Sequence, residues 1–394
     1  MAENSSDDPL SGTLPLAVAY FLVNLGAWLW YTLWGKYLIL DLGFRGEELG
    51  ALTMLYNLSY ALMTFPSGRI SDKIDPRKIL SIGVATSSAG VLLLAFSTNI
   101  PLIGLASILI GLGEGAFFTS ATVYAVRRGG LSRAGMVYGF IFSAGLLGEV
   151  SGSLVSGYLK ELFGSRILFF ASMIVSLSAL PLIMLLKAEP RLMSRGKRSA
   201  SLIGILKEHA KFKLLAIGLI FHSISFNAIF PFISVYAGWL GLSDSGIGLV
   251  NFLWLFFMFL TTMFWSVLAD RLESRLILLG HLSLSFFSWI TYAHSWNFTS
   301  IMAAAAFMGI VSSMDMPARR KIVAEIDKGY GIGSLIGSLD LLTMLASIPA
   351  PLIGGLIYQS MGLKQLFWTA SIINLLGIPF LLRMGKLNLD RSYA

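Results

Sequence analysis

Apolar runs of about 20 residues recur along the whole chain, and nothing else in the sequence constrains the fold as strongly. Each is long enough to cross ~30 Å of hydrocarbon as a helix. Twelve such runs can be placed, the first over about 15–40, the fourth over about 101–126, the seventh over about 214–240 and the last over about 366–384. The fold class that follows is an all-α polytopic membrane protein. Charged residues make up only 13% of the chain, against roughly a quarter in soluble domains, which removes the alternative of several soluble domains.

Between the second and third runs sits a charged, turn-prone stretch, Gly68-Arg-Ile-Ser-Asp-Lys-Ile-Asp-Pro-Arg-Lys78. A weaker copy follows 198 residues later, from Ser266 to Arg275, with Asp270 matching Asp72 and Arg271 matching Lys73. Leu42-Gly43 and Leu240-Gly241 repeat at the same offset. The chain therefore reads as two parallel halves, one of the recurring transporter plans. The expected organisation is a polar tail over 1–12, a first half over 13–187, a linker over 188–213 and a second half with a short tail over 214–394. The linker reads in part as an amphipathic surface helix from about Leu202 to Phe212.

The net charge of +8 does not call for nucleic acid. All but five of the 29 basic residues (Lys36, Arg45, Lys160, Arg166 and Lys364) fall on the side of the charged stretch. Such a bias places that side, and both termini, in the cytoplasm. Met1–Gly12 lacks a basic start and a cleavage site, so it is not expected to be a signal peptide. With no cysteine, disulfides and thiolate metal sites are out of reach, and neither a metal nor a cofactor is expected.

The Gly68–Lys78 stretch and its copy resemble the signature loop of the major facilitator superfamily, with Asp75 and Ser266 standing where that family places glycine. Ala144, Gly148, Glu149, Gly152 and Ser153 in the fifth run, and Ala346, Ala350, Pro351, Gly354 and Gly355 in the eleventh, resemble its antiporter motif, with Glu149 in the proline position. The resemblance covers essentially the whole chain. It implies twelve transmembrane helices in two pseudo-symmetric six-helix bundles, a central cavity lined by spans one, four, seven and ten, and alternating access. It also implies a cytoplasmic gate, for which Gly68, Asp72, Lys73, Arg77, Lys78, Asp270, Arg271, Arg275 and Asp340 are the candidates. Asp340 is expected to meet a base from a loop.

An ionisable group at membrane depth costs about 2.5–3.5 kcal/mol on insertion scales and defaults to a functional reading. Glu114, inside Gly111-Leu-Gly-Glu-Gly, and Asp315 lie 201 residues apart and are expected at corresponding positions of the two halves. Arg319, one turn beyond Asp315, can neutralise it locally. Glu114 has no base within a turn, and a buried carboxylate without a counter-charge favours its neutral form. Glu114 is therefore the first proton-coupling candidate, with Asp315 and Glu149 behind it. Asn24, Trp28, Tyr31, Phe117, His222, Phe226 and Phe230 are expected to line the cavity, His222 matching Asn24 at 198 residues. No arginine lies mid-span, which argues against phosphorylated sugars and dicarboxylates. Aromatic surface beside an acid suits amphiphilic neutral or cationic solutes.

The expected function is a proton-coupled secondary transporter that exports such compounds, working as a monomer in the plasma membrane. The alternative is a proton-coupled importer of a sugar or amino acid. No enzyme is expected: the sequence shows no HExxH, phosphate loop, nucleophile elbow or paired intramembrane histidines.

Overall fold

The computed structural model describes residues 12–187, 202–327 and 332–385, and among them the chain is helical with no strand. The side chains of Asp72, Lys73 and residues 130–135 lie outside the described set, as does most of the expected linker and both tails. Ten segments are long and apolar enough to cross a membrane. With the helix Gly46–Lys73 they are numbered here α1 (Leu14–Asp41), α2 (Gly46–Lys73), α3 (Pro76–Leu94), α4 (Ile100–Gly129), α5 (Met136–Met184), α6 (Ala210–Trp239), α7 (Asp244–Arg271), α8 (Ser274–Ala293), α9 (Phe298–Ile326), α10 (Ser334–Met361) and α11 (Leu363–Arg383).

Two of the twelve expected spans need comment. The second is present as α2, a 28-residue helix that is not among the ten apolar segments because polar residues at its middle, Tyr56, Asn57, Ser59 and Tyr60, dilute it. The fifth and sixth are one 49-residue segment, α5. Gly164 within it has φ +79°, which no right-handed helix accommodates, so the backbone turns there. Gly362 repeats the device at φ +93°, 198 residues on, and Gly43 and Gly241 form a second pair at φ +76° and +81°. The turns are thus duplicated at one fixed offset.

Elsewhere the helix ends carry local signals. Asn99 accepts the Leu102 N–H at 3.1 Å, and Asn297 forms a capping box with Ser300. The basic stretch after span four is helical. The expected surface helix is shorter than its apolar spacing suggested: it covers Leu202–Glu208 and breaks at His209. Its apolar face is covered by protein, since Ile205 is buried with Phe212, Leu215 and Ile322.

The chain forms two compact units. The first comprises Met1–Trp34, Leu55–Met193 and Ser243–Phe252; the second comprises Gly35–Met54, Ser194–Leu242 and Leu253–Ala394. Each therefore takes in a short piece from the other sequence half. The small residues of the antiporter-like runs explain how. In the second unit, a Cβ at Gly46 or Gly50 would collide with α10 at Tyr358 or Pro351. In the first unit, a Cβ at Gly248 would sit 2.8 Å from the Ser153 carbonyl, and one at Gly157 would collide with Asp244. These are the same contacts shifted by 198 residues. Small residues permit the backbone approach that helix association in lipid depends on.

Candidate functional site

In the first unit, glycine packing sets up the acid. Gly111 and Gly115 put the α4 backbone against α2, where added Cβ atoms would meet the carbonyls of Tyr56 and Tyr60. Gly113 faces the other way, toward Gly83 and Ser87 of α3. Glu114 lies between these contacts and is buried. The close approach brings the Tyr56 hydroxyl to donate a short hydrogen bond to Glu114 Oε2. Among the described residues no base pairs with Glu114. A hydrogen bond to a charged group returns about 1.5–3 kcal/mol, the same order as the cost of placing the acid at depth.

Around Glu114 the rings form a continuous series. Trp28 meets Tyr31 at 5.8 Å, Tyr31 meets Tyr56 at 6.2 Å, Tyr56 meets Tyr60 at 6.4 Å and Tyr60 meets Phe118 at 6.5 Å. All five rings are only partly buried. Glu149, also partly buried, accepts a hydrogen bond from Trp28. Trp28, Tyr31, Glu114 and Glu149 are thus brought together. Phe117 is not: it is fully buried against Gly83 in the core of the first unit. The ring on the Glu114 face is Phe118, one turn on. Asn24 is likewise buried, its amide donating at 2.8 Å to the Tyr20 carbonyl of its own helix and packing beside Gly145.

The second unit repeats the scaffold with different side chains. Gly309 stands where Gly111 does and closes on the Trp254 carbonyl as Gly111 closes on Tyr56. Trp254 Nε1 donates to Ser312 Oγ at 3.2 Å. Both residues sit 198 after Tyr56 and Glu114, so the counterpart of Glu114 is Ser312, not Asp315. Asp315 follows a short turn at Ser313–Met314 within α9 and pairs with Arg319, Nη2 to Oδ2 at 2.5 Å. Pro317 falls in the first helical turn that follows, where its missing N–H costs nothing. Asp340 meets Arg319 at 3.6 Å, a base of α9 rather than of a loop.

His222 is paired after all. Its Nε2 lies 3.2 Å from Nε2 of His281 on α8, and its Nδ1 lies 2.9 Å from Asn374 Oδ1 on α11. Its ring also stacks on Trp289 at 5.6 Å. Phe226 and Phe230 are partly buried and pack at 5.2 Å on each other, with Trp254 at 6.1 and 5.2 Å. Tyr56, Tyr60, Trp254, His281 and Asn374 join these contacts only through the tertiary structure. Polar side chains mid-span were the available signal for the last two.

At the charged loops the described gate residues are held inside their own units. Asp75 caps α3, accepting from Arg77 N at 3.0 Å and from Arg77 Nε at 2.7 Å, while Arg77 Nη1 donates to the Leu186 carbonyl at 2.8 Å. The Arg77 guanidinium holds the Asp75 carboxyl below its ordinary 3.8. Glu273, Arg275 and the Leu382 carbonyl repeat the arrangement more loosely, at 2.9 and 3.4 Å. A second repeated tie joins Arg127 Nη2 to the Ser71 carbonyl at 2.7 Å and Lys321 Nζ to the Ala269 carbonyl. Gly68 has room for a Cβ, with Thr119 at 3.7 Å. Lys78, Asp270 and Arg271 are exposed.

A pocket of about 680 Å³ lies elsewhere in the second unit, lined by Tyr236, Trp296, Tyr358 and Lys364, and contains none of these acids.

Comparison with known proteins bears on this arrangement. The family model of the Major Facilitator Superfamily matches residues 16–214 and 215–390. Multidrug resistance protein MdtG of Proteus mirabilis is 22% identical over 316 residues, 78% of each chain. Citrate exporter 1 of Aspergillus niger is 26% identical over 172 residues, a segment that spans 33% of that protein and 43% of this one. Among solved structures, a bacterial homolog of the human lysosomal transporter Spinster, inward-facing and occupied, superposes with TM-score 0.79 over 99% of this chain and all of that one at 15% identity. The nucleoside transporter NupG superposes with TM-score 0.80 over 95% of this chain and all of that one at 11% identity.

Proposed function

The chain belongs to the Major Facilitator Superfamily of membrane transporters, and we propose that it is a proton-coupled exporter of amphiphilic neutral or cationic organic compounds. The observation that carries this reading is Glu114: a buried carboxylate that has a phenol as its partner instead of a base, bonded to the middle ring of a partly open series of aromatic rings. Such a group can exchange its charge for a proton without breaking an ion pair. The rings offer apolar and cation–π contact to a solute but few directed hydrogen bonds, which favours amphiphiles over sugars. Glu149, bonded to Trp28, supplies a second acid on the same surface. The name of the MdtG relative, matched over most of both chains, points the same way.

In this reading α2 and the two arms of α5 complete twelve crossings in two six-helix halves, and the protein works as a monomer in the plasma membrane with both termini cytoplasmic. Protonation of Glu114 biases the exchange between inward and outward states, and solute competes with the proton. The repeated loops, with Asp72 and Asp270, close the cytoplasmic side. Unchanged flux and state populations in Asp72→Asn would remove that gate from the scheme.

The test is flux in proteoliposomes. An imposed pH gradient should drive a cationic amphiphile against its own gradient in the wild type. Glu114→Gln should lose that drive while still exchanging solute for solute. Gradient-driven flux that survives in Glu114→Gln would overturn the reading.

A further inference from the structure

The histidine pair of the second unit forms part of a hydrogen-bonded chain that can be read atom by atom. At one end the Leu282 carbonyl can only accept, so the Asn374 amide nitrogen, 2.7 Å away, must face it. Asn374 Oδ1 then faces His222 Nδ1 at 2.9 Å and can only accept, so that nitrogen carries a proton. At the other end the Val311 carbonyl lies 2.9 Å from His281 Nδ1, so that nitrogen carries one too. Two neutral imidazoles would then direct bare lone pairs at each other across the 3.2 Å between the Nε2 atoms. That contact becomes a hydrogen bond only when a third proton lies between them.

The ionisable groups near the pair are Asp315 and Arg319 of α9, which pair with each other and leave no net charge between them. Asp340 of α10, beyond Arg319, is exposed and has Arg320 as a further base beside it. The other neighbours, Asn374 and Trp289, are uncharged, so the hydrogen-bond geometry alone carries the proton count.

We propose that His222 and His281 form a second proton-binding site, holding one proton shared between their Nε2 atoms. Its place in transport rests on the proton-coupled reading above, but its existence does not. When the proton leaves, the Nε2···Nε2 contact must open, so occupancy of this site sets how α6 and α8 meet.

The full chain in lipid nanodiscs, labelled with ¹⁵N-histidine, tests this directly. Four histidines contribute: His209, His222, His281 and His294. In acid the pair should show three protonated nitrogens, one of them carrying a low-field proton coupled to both Nε2 atoms. On alkalinisation the count should fall to two in a single step. His281→Gln should release one proton fewer than the wild type over the same titration, as should His222→Asn, with melting curves verifying that each variant is folded. A count of two throughout, or of four in acid, would overturn the proposal, and so would equal proton release in wild type and both variants. Because the signals belong to histidine, they are read whether or not Glu114 couples to flux, and failure of either idea leaves the other standing.

Discussion

Tyr56 and Glu114 in the first half stand where Trp254 and Ser312 stand in the second, on the same glycine contact and joined by the same donor-to-acceptor geometry. The backbone scaffold is duplicated while the polar side chains are not. The reverse holds one helix away. His281 in the second half occupies the position of Gly83, which in the first half is used for close packing against Gly113 and Phe117. His222 likewise replaces Asn24, whose amide is satisfied within its own helix. Each half thus carries titratable groups that the other lacks, a carboxylate with a phenol in one and a histidine pair beside an ion pair in the other. At Gly111 and Gly309 the repeat keeps the small residue and the carbonyl contact, and there the halves differ only in the polar pair built on it.

The largest expected asymmetry comes from the acid itself. Glu114→Gln should remove pH-gradient-driven flux, whereas Ser312→Ala should leave it near wild type; equal effects would erase the distinction between the halves. Next come the shared contacts. Gly111→Val and Gly309→Val each force a side chain into a neighbouring helix, and overpacking of this kind costs about 1–3 kcal/mol. Both should lower the melting temperature by similar amounts, and an effect in only one would show that the scaffold is less symmetric than its geometry.

The partners of the acid and of its counterpart give a finer comparison. Tyr56→Phe removes a hydrogen bond to a charged group worth ~1.5–3 kcal/mol, and Trp254→Phe removes one between neutral groups worth ~0.5–1.5 kcal/mol. The pH dependence of flux should therefore move in Tyr56→Phe and stay fixed in Trp254→Phe.

The smallest effect concerns the loops. Arg77 lowers the Asp75 carboxyl below 3.8, so the stabilisation is fully present above that value and is lost as pH falls through the folded-state value. Melting curves below pH 4 should show a slight acid loss that Asp75→Asn lacks. The looser Glu273–Arg275 tie serves as the control. Both are partly exposed ion pairs, for which small values are the rule.

Particular residues show how far the sequence carries. The 198-residue offset was legible in Asp72 and Asp270, and the structure extends it to the turn glycines and the helix contacts. The same offset would have matched Glu114 with Ser312. Asp315 lies three residues beyond that position and pairs with Arg319 on its own helix. Phe117 and Phe118 were adjacent choices, and a one-residue step on a helix turns a side chain by about 100°. That step separates a core ring packed on Gly83 from one beside Tyr60.

The sequence by itself determined the membrane class, the duplication and the presence of an acid at depth. Those are properties of composition and spacing, and lipid enforces them on any chain with such runs. It also picked out Trp28, Tyr31 and Glu149 as candidates, without placing them relative to that acid. What only the tertiary structure decided is which polar groups meet. Tyr56 reaches Glu114 from 58 positions away, and His281 reaches His222 from 59. No periodicity along one helix encodes contacts between helices, because each depends on how closely two backbones approach and at what rotation. Here glycine sets that approach at Gly111 and Gly309 alike, and it brings a phenol to an acid in one half and an indole to a serine in the other.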